Sequence, residues 1–128
     1  MSKSVIIPIF NKEYKTVVCW GGLPHLRKTL LNHHYSPDNI SKTFIKDQTE
    51  NRRGVTFREF RCYPVIWINA DLPFHDCMGT LSHEAVHAVD FIFQAIDEDV
   101  VHSEVFAHSV GAVVRETLIA MKILKGSL

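Results

Sequence analysis

The sequence predicts an α+β domain in which an antiparallel or mixed sheet of three to five strands packs against two consecutive helices. Three observations predict it. Short runs rich in Val, Ile, Thr and aromatic residues alternate with turn residues from Val5 to Asn69. Helical apolar spacing then runs from Thr80 to Ala95, uninterrupted by Pro or Gly. A second helical pattern, Val100 to Leu124, closes the chain.

In chain order, Val5–Phe10 and Thr16–Trp20 read as strands joined by a hairpin connection at Asn11–Lys15. Trp20-Gly21-Gly22-Leu23-Pro24 is a turn and helix lead-in, because Pro suits a first helical turn. His25–His34 follows as a helix with Leu26, Leu30 and Leu31 on one face. Its histidines, His25, His33 and His34, lack ligand spacing to any other motif and are expected at the surface. Tyr35–Asn39 contains a Ser-Pro-Asp turn, residues 40–50 do not decide between element types, and Asp47–Gly54 is a polar loop. Val55–Arg61 and Tyr63–Asn69 read as two more strands, with Pro64 implying an edge position or a bend. Trp67, in the apolar run Val65–Ile68, is expected in the core. Leu72–Gly79 then leads into the helix that starts near Thr80.

The 128 residues suit a single domain, 1–128, long enough to bury a sizeable core. Lys+Arg and Asp+Glu are 14 each, so the formal net charge is zero, which argues against a general electrostatic grip on nucleic acid. The three cysteines, Cys19, Cys62 and Cys77, are odd in number and form no C-x-x-C. A disulfide framework is not expected, and a reducing cytoplasm fits best. No segment approaches 18 consecutive apolar residues, and the N-terminus lacks the pattern of a signal peptide, so no membrane partner is expected.

The pentapeptide His83-Glu84-Ala85-Val86-His87 carries the chemistry. With 8 His in the chain, random placement gives only about 0.03 matches to H-E-x-x-H, so chance is a weak explanation. Histidines four apart on a helix share a face, with Cβ atoms roughly 5–6 Å apart, and can bind one divalent cation. Glu84 is then placed to act on a metal-bound water as general base. A catalytic zinc site needs a third protein ligand. The extended motif with a third His would need Gly at position 90 and His at position 93, where this chain has Asp90 and Phe93.

A carboxylate from the following helix is the alternative, and Glu104 fits. Glu104, His108, Gly111 and Arg115 form one helical stripe, and a glycine there predicts close approach to the helix of His83 and His87. His102, His108, Asp97 and Asp99 compete as third ligands, although Asp97-Glu98-Asp99 reads as a solvated acidic run and His102 is off the stripe. Beside Glu104 as ligand, His108 becomes a catalytic candidate, as a donor to the developing oxyanion, or else an ordinary surface histidine. Asp90 is either a partner for a ligand imidazole or a surface residue, and Arg115 either pairs with a carboxylate near the site or is solvated.

The helix Thr80–Ala88 resembles the active helix of small H-E-x-x-H…E zinc metallopeptidases of the gluzincin type, and Ser103–Gly111 resembles their third-ligand helix. In length and in the Trp20–Leu23 segment the chain is most similar to short peptidases encoded by bacteriophages and prophages; the ImmA/IrrE-like peptidases are a neighbouring likeness. The resemblance covers most of residues 16–120. It implies a zincin-like fold, Zn²⁺ on His83, His87 and Glu104, a peptide or protein substrate and a bacterial cytosol. It also implies that the sheet edge near Tyr63–Asn69 binds peptide by strand addition. Members of that family often carry Tyr four residues after the ligand Glu, where this chain has His108. Two other functions stand beside hydrolysis: a zinc-binding regulatory or interaction module with little turnover, and a structural metal domain with four protein ligands.

Overall fold

The computed structural model describes residues 3–9, 13–95 and 104–124. The elements are β1 (Lys3–Ile9), β2 (Tyr14–Trp20), α1 (Leu23–Asn32), a 3₁₀ turn (Pro37–Asn39), α2 (Lys42–Thr49), β3 (Gly54–Phe57), β4 (Val65–Ile68), α3 (Phe74–Ala95) and α4 (Glu104–Leu124). The α+β expectation holds, with a mixed four-stranded sheet in the order β1-β2-β4-β3. β1 pairs antiparallel with β2, β2 parallel with β4, and β3 antiparallel with β4. None of the described helices is long and apolar enough to cross a membrane.

Period-two alternation gives the sheet two covered faces. Val18 and Trp20 of β2 and Ile66 and Ile68 of β4 point to one side, where Leu81, Ala85, Val89 and Phe93 of α3 and Phe106, Val113 and Met121 of α4 meet them. Val17, Cys19, Val65 and Trp67 point to the other side, against Leu26 and Leu30 of α1 and Ile45 of α2. The uninterrupted apolar run of β4 follows from this, since a strand covered on both faces has no solvent side to make polar. Trp67 is core, as expected, and its indole N–H donates to the Gly21 carbonyl at 3.2 Å.

The strand-addition edge expected near Tyr63–Asn69 is corrected here. β4 has β2 on one side and β3 on the other, so its backbone is already paired, and the outer strands are β1 and β3. Pro64 marks a bend before β4, where its carbonyl accepts from the Val17 N–H at 3.0 Å. α2 occupies part of the stretch left undecided, started by Ser41, whose hydroxyl accepts from the Phe44 N–H at 3.1 Å.

α3 begins at Phe74, ahead of the expected start near Thr80. Gly79 does not break it: a Cβ there would meet nothing within 4 Å, while Cys77 and Leu81 on the buried side hold the turn. α4 lies against α3 in the opposite direction. The Phe93 and Phe106 rings meet edge to face at 5.5 Å, and Cys77 Sγ lies 4.0 Å from Met121 Sδ. The face of α4 that packs carries Phe106, Val113, Thr117 and Met121. The stripe Glu104-His108-Gly111-Arg115 faces away, and a Cβ on Gly111 would meet nothing within 4 Å, so Gly111 is not the close-approach glycine that the spacing suggested. Gly54 is. A Cβ there would lie 2.7 Å from Thr80 Cγ2 and 3.0 Å from the Trp67 carbonyl oxygen, so only glycine lets the start of β3 lie this close to α3.

Candidate metal centre

α3 sorts the H-E-x-x-H residues onto different sides of one helix. Leu81, Ala85, Ala88, Val89 and Ile92 bury its sheet-facing side. That leaves His83 and His87, one turn apart, on the outward face, and Glu84 on the flank nearest β3. The two imidazoles converge. His83 Nε2 and His87 Nε2 are 3.2 Å apart, with ring centroids 4.8 Å apart and planes at 78°. Two nitrogens bound to one tetrahedral zinc at 2.0–2.1 Å would lie about 3.3 Å apart. The separation therefore matches that between two corners of such a site. With one ring nitrogen protonated, the same distance is an N–H···N hydrogen bond, so the pair is satisfied in either state.

Glu84 is held. Its side chain is 11% exposed, against 69% for His83. Oε1 accepts from the Thr56 hydroxyl at 2.8 Å, and that hydroxyl also lies 3.1 Å from the main-chain carbonyl of Glu84. Oε2, turned the other way, lies 3.9 Å from His83 Nε2. Thr56 reaches Glu84 because it alternates with Val55 and Phe57, which point to the α1–α2 side of the sheet. Local sequence pattern alone does not single out Thr56. A polar residue between two apolar ones in a strand was the available signal, but the pairing of β3 with α3 is a tertiary fact.

An open groove of about 610 Å³ runs beside the site, with Arg52, Arg53 and Gly54 on one bank and His75, Thr80, His83 and Glu84 on the other. Arg53 reaches across to Asp76 at 3.5 Å. The groove thus carries its positive charge on the β3 side, beyond the Glu84 carboxylate.

The α4 candidates stand elsewhere. Glu104 and His108 face each other at 4.0 Å, with side chains 94% and 84% exposed. The Phe93–Phe106 contact puts Glu104 level with the last turn of α3, about 10 Å along the axis from His87 at 1.5 Å per residue. The structure joins His83 with His87 and Glu104 with His108, and leaves the two pairs apart. Among the described residues, no three His, Cys, Asp or Glu side chains converge as a metal-binding group. Asp97, Glu98, Asp99 and His102 lie outside the described residues. Asp90 Oδ2 accepts from Gln94 Nε2 at 2.8 Å, and Arg115 Nε lies 3.4 Å from Glu116 Oε1 at the surface.

Burial pushes the Cys19 thiol up to about 12. Burial lowers the pKa of His33, helped by the charges of His34 and Lys15. Set against protein-family models, curated proteins and solved structures, the chain gives no significant match.

Proposed function

We propose that this protein is a zinc-dependent metallopeptidase with Glu84 as general base. The observation that carries the reading is the 3.2 Å approach of His83 Nε2 and His87 Nε2 beside an anchored Glu84 carboxylate. Zinc, when bound, would lower the pKa of a coordinated water towards about 7. Glu84 accepts a proton through Oε2, the oxygen that Thr56 leaves free, and returns it to the leaving amine. The Thr56 hydroxyl fixes the other oxygen, so the carboxylate keeps one orientation through both transfers.

For an extended peptide, the outer edge of β3 is the binding place we propose. Asn69 N–H donates to the Arg53 carbonyl at 2.8 Å, which fixes the phase of the β3–β4 ladder. Alternation then turns the Val55 and Phe57 amides towards β4 and those of Gly54 and Thr56 towards the outer edge. Strand addition at β3 would lay the substrate backbone alongside Thr56, next to Glu84.

For the third position we propose Glu104, which would complete the ligand set as a carboxylate, with His108 beside it as a donor to the developing oxyanion. In the arrangement described, both stand exposed on α4 and apart from His83 and His87. That outward placement of Glu104 favours a second reading, a zinc-binding regulatory module with little turnover. Metal analysis and a fluorogenic peptide library separate the two. The peptidase binds about one zinc per chain, loses it in His83→Ala and His87→Ala, holds it weakly in Glu104→Ala, and cleaves peptides in a chelator-sensitive way that Glu84→Gln abolishes. Zinc binding without cleavage supports the module. Unchanged zinc content in the two histidine variants removes both readings.

A further inference from the structure

On the opposite side of the sheet from α3, α1 and α2 enclose a second groove of about 560 Å³. Its floor is apolar, formed by Leu23 and Leu31 of α1 and Ile45 of α2. Its banks are cationic on both sides, with Arg27 and Lys28 on α1 and Lys42 and Lys46 on α2, and no acidic residue lines it. Among the described residues, none of these four cations is in an ion pair. Arg27 Nε is turned to the Ile40 carbonyl at 3.2 Å, which holds the α1 bank against the segment that leads into α2. In a chain with equal numbers of acidic and basic residues, four cations around one apolar floor with no local counter-charge is a segregated surface.

We propose that this groove docks an acidic amphipathic helix of a partner protein. The charge distribution selects that occupant. A single anionic head on a small amphiphile would meet the cations at one place only, whereas here they stand on two helices, on both sides of the floor. An apolar ridge flanked on each side by Glu or Asp matches floor and banks together. A flat anionic membrane would meet the exposed lysines but would leave the recessed floor unfilled. The small floor predicts a weak, salt-sensitive complex in which the charges set the association rate and the choice of partner. The groove shares no residue with the His83–His87 site, so this inference does not depend on the peptidase reading.

The test uses the full chain and a designed helical peptide carrying a Leu stripe flanked by Glu, with a Lys-flanked counterpart. Binding is followed by fluorescence anisotropy and by amide chemical-shift changes. The Glu-flanked peptide is expected to shift the amides of Leu23–Asn32 and Lys42–Lys46, and to lose about tenfold in affinity in Lys28→Glu/Lys46→Glu. A Leu31→Gln variant, with the charges intact, is expected to weaken binding as well. Equal binding of both peptides, or no effect of the charge reversal, overturns the proposal. So does a response of these amides to anionic vesicles or to a long-chain carboxylate with none to the Glu-flanked peptide. Both variants change partly or fully exposed side chains, and an unchanged thermal melt shows that any lost binding is not lost folding.

Discussion

Thr56 of β3 ties down Glu84 of α3, with its hydroxyl 2.8 Å from the carboxylate and 3.1 Å from the same residue's main-chain carbonyl. The bond joins an outer strand to the helix of the candidate metal centre and fixes the proposed general base before any substrate arrives. Thr56→Val keeps the shape and removes the donor. It is expected to cost about 1–2 kcal/mol of stability, because a largely buried carboxylate oxygen loses its partner. Zinc content should not change, while turnover falls. Denaturant melts, metal analysis and peptide cleavage on one preparation separate the effects, and a fall in zinc content would mean that Thr56 supports the histidines as well.

Gly54 sets the distance between β3 and α3. Gly54→Ala is expected to destabilise the fold by about 1–3 kcal/mol, because the new methyl group overlaps Thr80 Cγ2 and presses on the Trp67 carbonyl. Adding Thr80→Ser should recover part of the loss but not all of it, since the Trp67 contact is to backbone. Urea midpoints of the single and double variants check this, and full recovery would show that the backbone contact gives way.

Just past the α1 C-cap, His33, lies His34 at φ 73°, a left-handed conformation that glycine adopts at no steric cost. The amides of His34 and Tyr35 cap the Leu31 and Leu30 carbonyls at 3.1 Å each. His34→Gly keeps both bonds and relieves the Cβ crowding, for an expected gain of about 0.5–1 kcal/mol net of the added unfolded-state entropy. A lower melting temperature would show that the His34 side chain contributes more than its backbone costs.

Acid sensitivity should trace in part to Glu59. Its carboxylate accepts from Asn39 Nδ2 at 3.0 Å and from the Ser36 amide at 2.9 Å, and these bonds, with the Asn39 bond foremost, hold its pKa below the usual carboxylate range. Folding therefore favours the ionised form. The contribution is fully present above the unfolded value near 4.5 and is lost as the pH falls through the lower folded value. Glu59→Gln should be less stable than the wild type at pH 7 and nearly equal to it near pH 2. Chemical denaturation at both values tests this, and an equal deficit at both would assign the role to packing.

Local pattern carried much of this molecule. All four strands were legible from apolar, β-branched runs, although the run expected over Val55–Arg61 is a strand only at Gly54–Phe57, and the helical character of α3 and α4 from apolar spacing. His83, Glu84 and His87 were legible because their geometry is internal to one helix. What failed was relational. Gly111 and Gly54 are both glycines, and only the packing of β3 against α3 shows that the second is the one a side chain would block. Glu104 shares a stripe with Gly111, but the apolar residues Phe106, Val113 and Met121 decide which face of α4 turns inward, and they put that stripe outside. α2 was obscured because its eight residues are mostly polar, and Ser41 gave only half of a capping signal.

The parallel neighbour of β2 is β4, and all of α1, α2 and β3 lie between them in the chain. During synthesis, Val17–Trp20 therefore emerges from the ribosome long before Val65–Ile68 exists to pair with it. Until then its most apolar stretch can be shielded only by its hairpin mate and by α1 and α2. Closing so long a loop before any reward arrives makes this pairing the natural bottleneck of folding, and the interval in which a nascent chain is most prone to stick to others.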